Sequence, residues 1–181
     1  MRFLLVIGLL LATFSCSNNT EKGRIIDSKK LNYLISQKDK TLVYVWTTWC
    51  SGCRETLAET LPKLQEDIDT SEYQIILIAA SKNKAEVDSL VSTNTLKENS
   101  YFLDFTGPDK GVFQNLGIQL LLDASFPDED IFTRAIPVFF LVDKKGKVLN
   151  KKLPHSYDEA IRLLIKQLCP SHNILLLLNS F

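Results

Sequence analysis

The 181 residues carry 21 basic and 21 acidic side chains, so the formal charge is zero. A nucleic-acid binder needs a basic face to displace counterions, and this chain has no such surplus. The length suits one domain with an ordinary core, and the two histidines, His155 and His172, lie too far in sequence from Cys50 to suggest a histidine-rich metal site.

The N-terminus reads as a leader and not as fold. Met1-Arg2 is a short basic start, and Phe3 to Ala12 is an almost unbroken apolar run. That run suits the core of an export signal and is shorter than the roughly 20 residues a membrane-spanning helix takes. It ends at Thr13-Phe14-Ser15-Cys16 and turns polar at Ser17-Asn18-Asn19-Thr20. Small residues leading to a cysteine resemble a bacterial lipoprotein box, although Phe14 departs from the strict pattern. The resemblance implies removal of residues 1–15, a lipid on Cys16, and residues 16–27 as a lipidated tether. The alternative is ordinary signal cleavage nearby, with Cys16 lost or left as a free thiol. Both readings export the chain to the cell envelope, where disulfides form and exchange. The lipid-anchored form would face the periplasm. With Cys16 lipidated, three cysteines remain: Cys50, Cys53 and Cys169.

Beyond the tether, Ser28 to Lys38 places Leu31, Leu34 and Ile35 on one face of a short amphipathic helix. Thr41 to Trp46 is apolar throughout, as expected of a strand buried on both faces. A helix follows through Leu57, Leu61, Leu64 and Ile68, with Pro62 expected to kink it. Gln74 to Ala80 is a second buried strand. Asn83 and Glu86 form a capping-box pattern for a helix over about 84–93. Tyr101 to Phe105 suggests a short strand, and Asp109 to Leu116 a short helix closed by Gly117. Residues 118–135 fit no simple pattern. Ile136 to Val142 is a third buried strand, and Asp143-Lys144-Lys145-Gly146-Lys147 a solvated turn with glycine where a positive φ is needed. Val148 to Lys152 returns as a strand. Ser156 and Glu159 cap a last helix bearing Ile161, Leu164, Ile165 and Leu168. This order predicts an α/β fold, a mixed central sheet with helices on both faces.

Between the first buried strand and its helix stands Trp49-Cys50-Ser51-Gly52-Cys53. A strand that hands Cys-x-x-Cys to the first turn of a helix is a thiol–disulfide redox device. The spacing lets both sulfurs meet across one turn, with the first facing solvent and the second behind it. The helix N-terminus has unpaired N–H groups and roughly half a positive charge, which favours thiolate over thiol. Arg54 adds to this field or is a solvated surface charge.

Here the chain resembles the thioredoxin superfamily, and most closely its exported TlpA and ResA type. The residues that carry the likeness are Trp49 to Arg54, Ile136-Pro137, the strand Val138 to Val142 and the turn Asp143 to Lys147. It covers roughly residues 28–168, with 118–135 as an insertion near the active site and 169–181 as an apolar tail. The resemblance implies a thioredoxin-like fold and a protein-disulfide reductase type of thiol–disulfide oxidoreductase. It implies that Cys50 attacks, that Cys53 resolves, and that Pro137 is a cis-proline packed against their disulfide. Ile136 would offer its backbone to an extended substrate, and Trp49 would flank the site. Redox poise depends on the intervening Ser51-Gly52, so direction stays open, with reduction favoured. The family's buried aspartate, six residues before the attacking cysteine, is replaced by Tyr44. Water or another carboxylate such as Glu55 would then take the resolving thiol's proton. Expected partners are exported proteins with disulfides, an upstream thiol electron donor and, through Cys16, a membrane. No nucleic acid, no metal and no cofactor beyond the redox-active disulfide are expected.

Other readings compete. A zinc site needs four ligands, and no second cysteine pair exists. Copper-delivery modules of the same fold space their cysteines by three residues and add a histidine, for which His155 is a weak match. Thr47 stands three residues before Cys50, as in part of a peroxiredoxin signature, but Val43 occupies the place of its proline. A non-catalytic binding module with a structural disulfide completes the alternatives. Trp46 reads as core, and Cys169 as a small buried hydrophobe.

Overall fold

The computed structural model describes residues 24–92, 95–103, 114–129, 131 and 136–149. The leader, Cys16, the last predicted helix, both histidines, Cys169 and the apolar tail lie outside the described residues.

Five strands make one sheet in the order β1-β4-β3-β2-β5. They are β1 (Ile25–Ile26), β2 (Lys40–Trp46), β3 (Tyr73–Ala79), β4 (Ser100–Leu103) and β5 (Val138–Asp143). β1, β4, β3 and β2 run parallel, and β5 pairs antiparallel with β2, so the sheet is mixed. Its unbroken apolar runs bury both faces. Leu42, Tyr44 and Trp46 join one core with Cys53, Leu57, Leu61, Leu64, Val87 and Val91. Val43, Val45, Ile76 and Ile78 join the other with Leu31, Ile35, Ile118, Leu121 and Leu122. The helices on the second face are α1 (Ser28–Ser36) and α5 (Gln114–Ser125). The first face carries α4 (Lys84–Val91) and the long helix that leaves the cysteine pair. This is the expected α/β thioredoxin-like arrangement.

Caps follow local chemistry. Asp27 accepts a 2.8 Å bond from the Lys30 amide at the start of α1. Asn83 accepts from the Glu86 amide at 3.2 Å and donates through its own amide to the Glu86 carboxylate at 3.3 Å. At the far turn, Gly146 holds φ +81°, the left-handed conformation that disfavours a Cβ.

Four expectations change. The stretch assigned to the tether ends in structure: Ile25 and Ile26 pair with Phe102 and Leu103, and Ile26 is fully buried. Arg24 pins this edge, with its guanidinium on Asp88, on the Ser100 carbonyl at 3.1 Å and over the Phe102 ring. Gly117 does not close a helix, because α5 runs through it to Ser125. A helical glycine costs about 1 kcal/mol, less than burying Ile118, Leu121 and Leu122 returns. The long helix is not simply kinked at Pro62. It comprises α2 (Ser51–Glu55), a π-helical turn (Thr56–Thr60) and α3 (Leu61–Asp67), with Pro62 in the first turn of α3. The wide turn, closed by the Leu61 amide on the Thr56 carbonyl, suits a residue that has no N–H to give. The fourth change concerns the supposed insertion. Residues 118–125 are helix, and Phe126 to Glu129 pack against Lys144 to Lys147 around a cavity of about 520 Å³. That is the end of β5 away from Ile136, so Phe126 to Glu129 lie at the opposite end of the strand from the cysteines. Of the returning strand, Val148 bridges Val142 and the Leu149 amide donates to the Leu141 carbonyl at 2.8 Å.

Candidate active site

The site forms where β2 ends. Trp46 completes the strand, and the Cys50 amide donates to the Thr47 carbonyl at 3.4 Å, which closes a tight turn. Cys50 has extended backbone geometry and is the N-cap of α2. Its sulfur accepts a 3.1 Å bond from the Cys53 amide, one of the donors that a helix start leaves open. Further along, the Thr56 hydroxyl donates to the Gly52 carbonyl at 2.8 Å and ties the next turn back onto the first. Thr56 was not singled out from sequence, because a threonine in a helical run carries no signal of that bond.

Cys50 and Cys53 form a disulfide with Cα atoms 5.2 Å apart. The two sulfurs are unequal. Cys50 keeps 9% of its surface and Cys53 none. The opening is therefore narrow and lies on the Cys50 side. Trp49 beside it is 65% exposed. Ile136-Pro137 is a cis peptide, and the Ile136 carbonyl oxygen lies 3.9 Å from the Cys50 sulfur. The structure thus gathers Cys50, Cys53, Trp49 and Ile136-Pro137 at one end of the sheet.

Tyr44 occupies the face below Cys53. It is buried, its ring stacks on Phe139 at 6.5 Å, and its hydroxyl approaches the Cys53 carbonyl at 3.5 Å. Glu55 is exposed to solvent, while Cys53 is sealed. The carboxylate considered as proton acceptor therefore faces water. Arg54 is exposed as well. Trp46 is core. Among the described residues, no group of three or more His, Cys, Asp or Glu is placed to hold a metal.

Such an arrangement interconverts a dithiol and a disulfide. One sulfur is reachable and sits at a helix start, and the other waits one turn behind it. The fold and this pair define a thiol–disulfide oxidoreductase. Residues 26–162 match the model of the Redoxin family, so the chain belongs to that family. No curated protein matches the sequence. Among solved structures, the chain is similar to the thioredoxin domain of a thiol-disulfide oxidoreductase from Bacteroides vulgatus, at 17% identity and TM-score 0.46, covering 74% of this chain and 81% of that one. It is similar to a thiol:disulfide interchange protein from a Bacteroides species, at 15% identity and TM-score 0.47, covering 79% and 80%. It is also similar to a thioredoxin-related protein from Neisseria meningitidis, at 14% identity and TM-score 0.44, covering 70% and 84%.

Proposed function

We propose that the protein is an exported, membrane-tethered reductant of disulfides in other exported proteins. The observation that carries this reading is the inequality of the two sulfurs, with the open one beside the Ile136 carbonyl. In the forward direction the Cys50 thiolate attacks a substrate disulfide. One substrate sulfur leaves as thiolate, and a mixed disulfide forms through Cys50. Cys53, deprotonated, then attacks the Cys50 sulfur. The second substrate thiolate departs, and Cys50–Cys53 is left oxidised. An upstream dithiol, itself oxidised in the exchange, returns both electrons and restores the pair.

Substrate binding follows from the same surroundings. An extended segment would lie along Ile136-Pro137 with Trp49 against its flank, which brings a disulfide to the narrow opening over Cys50. The tether reading rests on Cys16 and the apolar run before it, supported by the export-type disulfide chemistry of the domain. Among the described residues no helix is long and apolar enough to cross a membrane.

Two assays test the reading. Insulin-disulfide reduction driven by a dithiol should proceed with the native chain and fall to background in Cys50→Ser; reduction by Cys50→Ser at the native rate would overturn the assignment. In cells, Cys16→Ala should move the protein from the membrane fraction to the soluble one. Unchanged partition would remove the lipid anchor from the account and leave the chemistry standing.

A further inference from the structure

Four large apolar side chains are exposed among the described residues, and only Trp49 belongs to the cysteine end. The other three lie on the helices that cover the second face of the sheet. Tyr33 is 64% exposed on α1, and Leu116 and Leu120 are 40% and 41% exposed on α5. Leu31 and Ile35 bury the inner side of α1, so Tyr33, half a turn round from both, points away from the sheet. Leu116 and Leu120 stand one turn apart, away from the buried Ile118, Leu121 and Leu122. α1 and α5 pack against each other, so the three residues share one outer surface. Charge is sparse on these helices. α1 holds two lysines and no acid, and the one charged residue of α5, Asp123, accepts from the Gln119 amide at 2.7 Å. The long helix on the first face differs: Arg54, Glu55, Glu59, Lys63, Glu66 and Asp67 are all exposed. One face is dressed for water, and the other presents apolar side chains, with Lys29 exposed one turn before Tyr33.

The start of the chain says what this second surface meets. Cys16, the residue proposed to carry the lipid, and Arg24, where the described fold begins, are eight residues apart. Eight residues reach about 28 Å at full extension. A domain of this length is about 35 Å across, so it cannot leave the bilayer and one of its faces stays near the headgroups. α1 is the first helix after the tether and starts at Ser28. We propose that the outer surface of α1 and α5 rests on the lipid bilayer, with Tyr33, Leu116 and Leu120 at the headgroup–acyl boundary and Lys29 toward lipid phosphates. Tyrosine suits that boundary because its ring is apolar and its hydroxyl stays wet. The contact is small, so it orients a domain that the lipid already holds and does not hold it alone. The sheet then lies along the membrane, and the cysteine end faces sideways, where substrates arrive parallel to the surface. This inference rests on the lipid tether proposed above.

The test uses the full lipidated chain in vesicles of phosphatidylethanolamine and phosphatidylglycerol whose acyl chains are brominated near the headgroup. Bromine quenches tryptophan at short range. A ring seated about 5–10 Å into the boundary is within that range, so the emission added by Tyr33→Trp should fall by at least about half relative to unbrominated vesicles. Glu66→Trp, on the exposed first face, should add emission that bromine leaves unchanged. Equal quenching in the two variants, or none in Tyr33→Trp, would overturn the inference. So would an added ring that escapes both bromine and aqueous acrylamide, because protein, such as a second copy of the chain, would then cover this face. Flotation of the native chain with the vesicles separates the two claims. A chain that floats while Tyr33→Trp stays unquenched keeps the tether and loses the face. A chain that does not float loses both.

Discussion

The two ends of the same strand pair, β2 and β5, are built to opposite specifications. At the far end the turn is satisfied. The Asp143 carboxylate accepts from the Lys145 and Lys147 amides at 2.9 and 3.0 Å, Gly146 supplies the positive φ, and Lys144 reaches Asp39 at 2.8 Å. At the cysteine end the same strands finish with a cis peptide, an exposed tryptophan and the buried Thr47 hydroxyl, which has no hydrogen-bond partner among the described residues. One end spends its polar groups on stability. The other keeps reactive and binding groups uncommitted, which is where a redox site has use for them. The comparison predicts that substitutions at the cysteine end change rates and leave melting alone, and that substitutions at the far end do the reverse.

The largest effect belongs to the cysteine end. Cys50→Ser should abolish exchange while the reduced protein keeps its fold, checked by insulin reduction alongside circular dichroism. Trp49→Ala comes next. Its ring is mostly exposed in the free protein, so its truncation should cost little stability. An aromatic anchor of this kind is worth enough to raise KM for a protein substrate by about tenfold, with kcat nearly unchanged. At the far end Gly146→Ala forces a Cβ into the left-handed region and should cost about 1–2 kcal/mol in urea unfolding with native exchange rates. A rate loss in that variant would break the division between the ends.

The smallest effect is expected from Asp39→Asn. Both Asp39 and Lys144 are exposed, and exposed pairs contribute little. The signs are nonetheless fixed. The Lys144 hydrogen bond lowers the Asp39 pKa, so what Asp39 contributes is present above the ordinary carboxylate range and fades as pH falls through its lowered folded value. The same bond raises the Lys144 pKa, so its contribution is complete below the ordinary lysine range and fades as pH rises through the raised value. Unfolding curves at pH 3, 7 and 11 should show native and Asp39→Asn converging at the acid end. A gap largest at the acid end would contradict the assignment.

What could be read beforehand followed the reach of each signal. The strands Lys40–Trp46, Tyr73–Ala79 and Val138–Asp143 announce themselves because burial on both faces demands unbroken apolar runs. The Asn83 cap and the Gly146 turn are equally local. The edge strand was not legible. Ile25 and Ile26 are two residues in polar surroundings, and only their distant partners Phe102 and Leu103 make them a strand. Gly117 misled for the opposite reason: a local breaker was outweighed by burial that only the folded sheet provides. In the site, the cysteine spacing exposed the redox pair, and the family likeness alone pointed to Ile136-Pro137. Tyr44 was visible as a substitution, but its approach to the Cys53 carbonyl was not. The unmatched state of Thr47 was invisible, because a hydroxyl's partners depend on every neighbour the fold brings.

The central claim is that Cys50 attacks and Cys53 resolves. Incubating reduced Cys53→Ser with a disulfide-containing peptide and mapping the product by mass spectrometry tests it directly. The account predicts one stable peptide adduct, carried by Cys50. An adduct mapped to Cys169, or equal adduct in a Cys50→Ser, Cys53→Ser double variant, would contradict it.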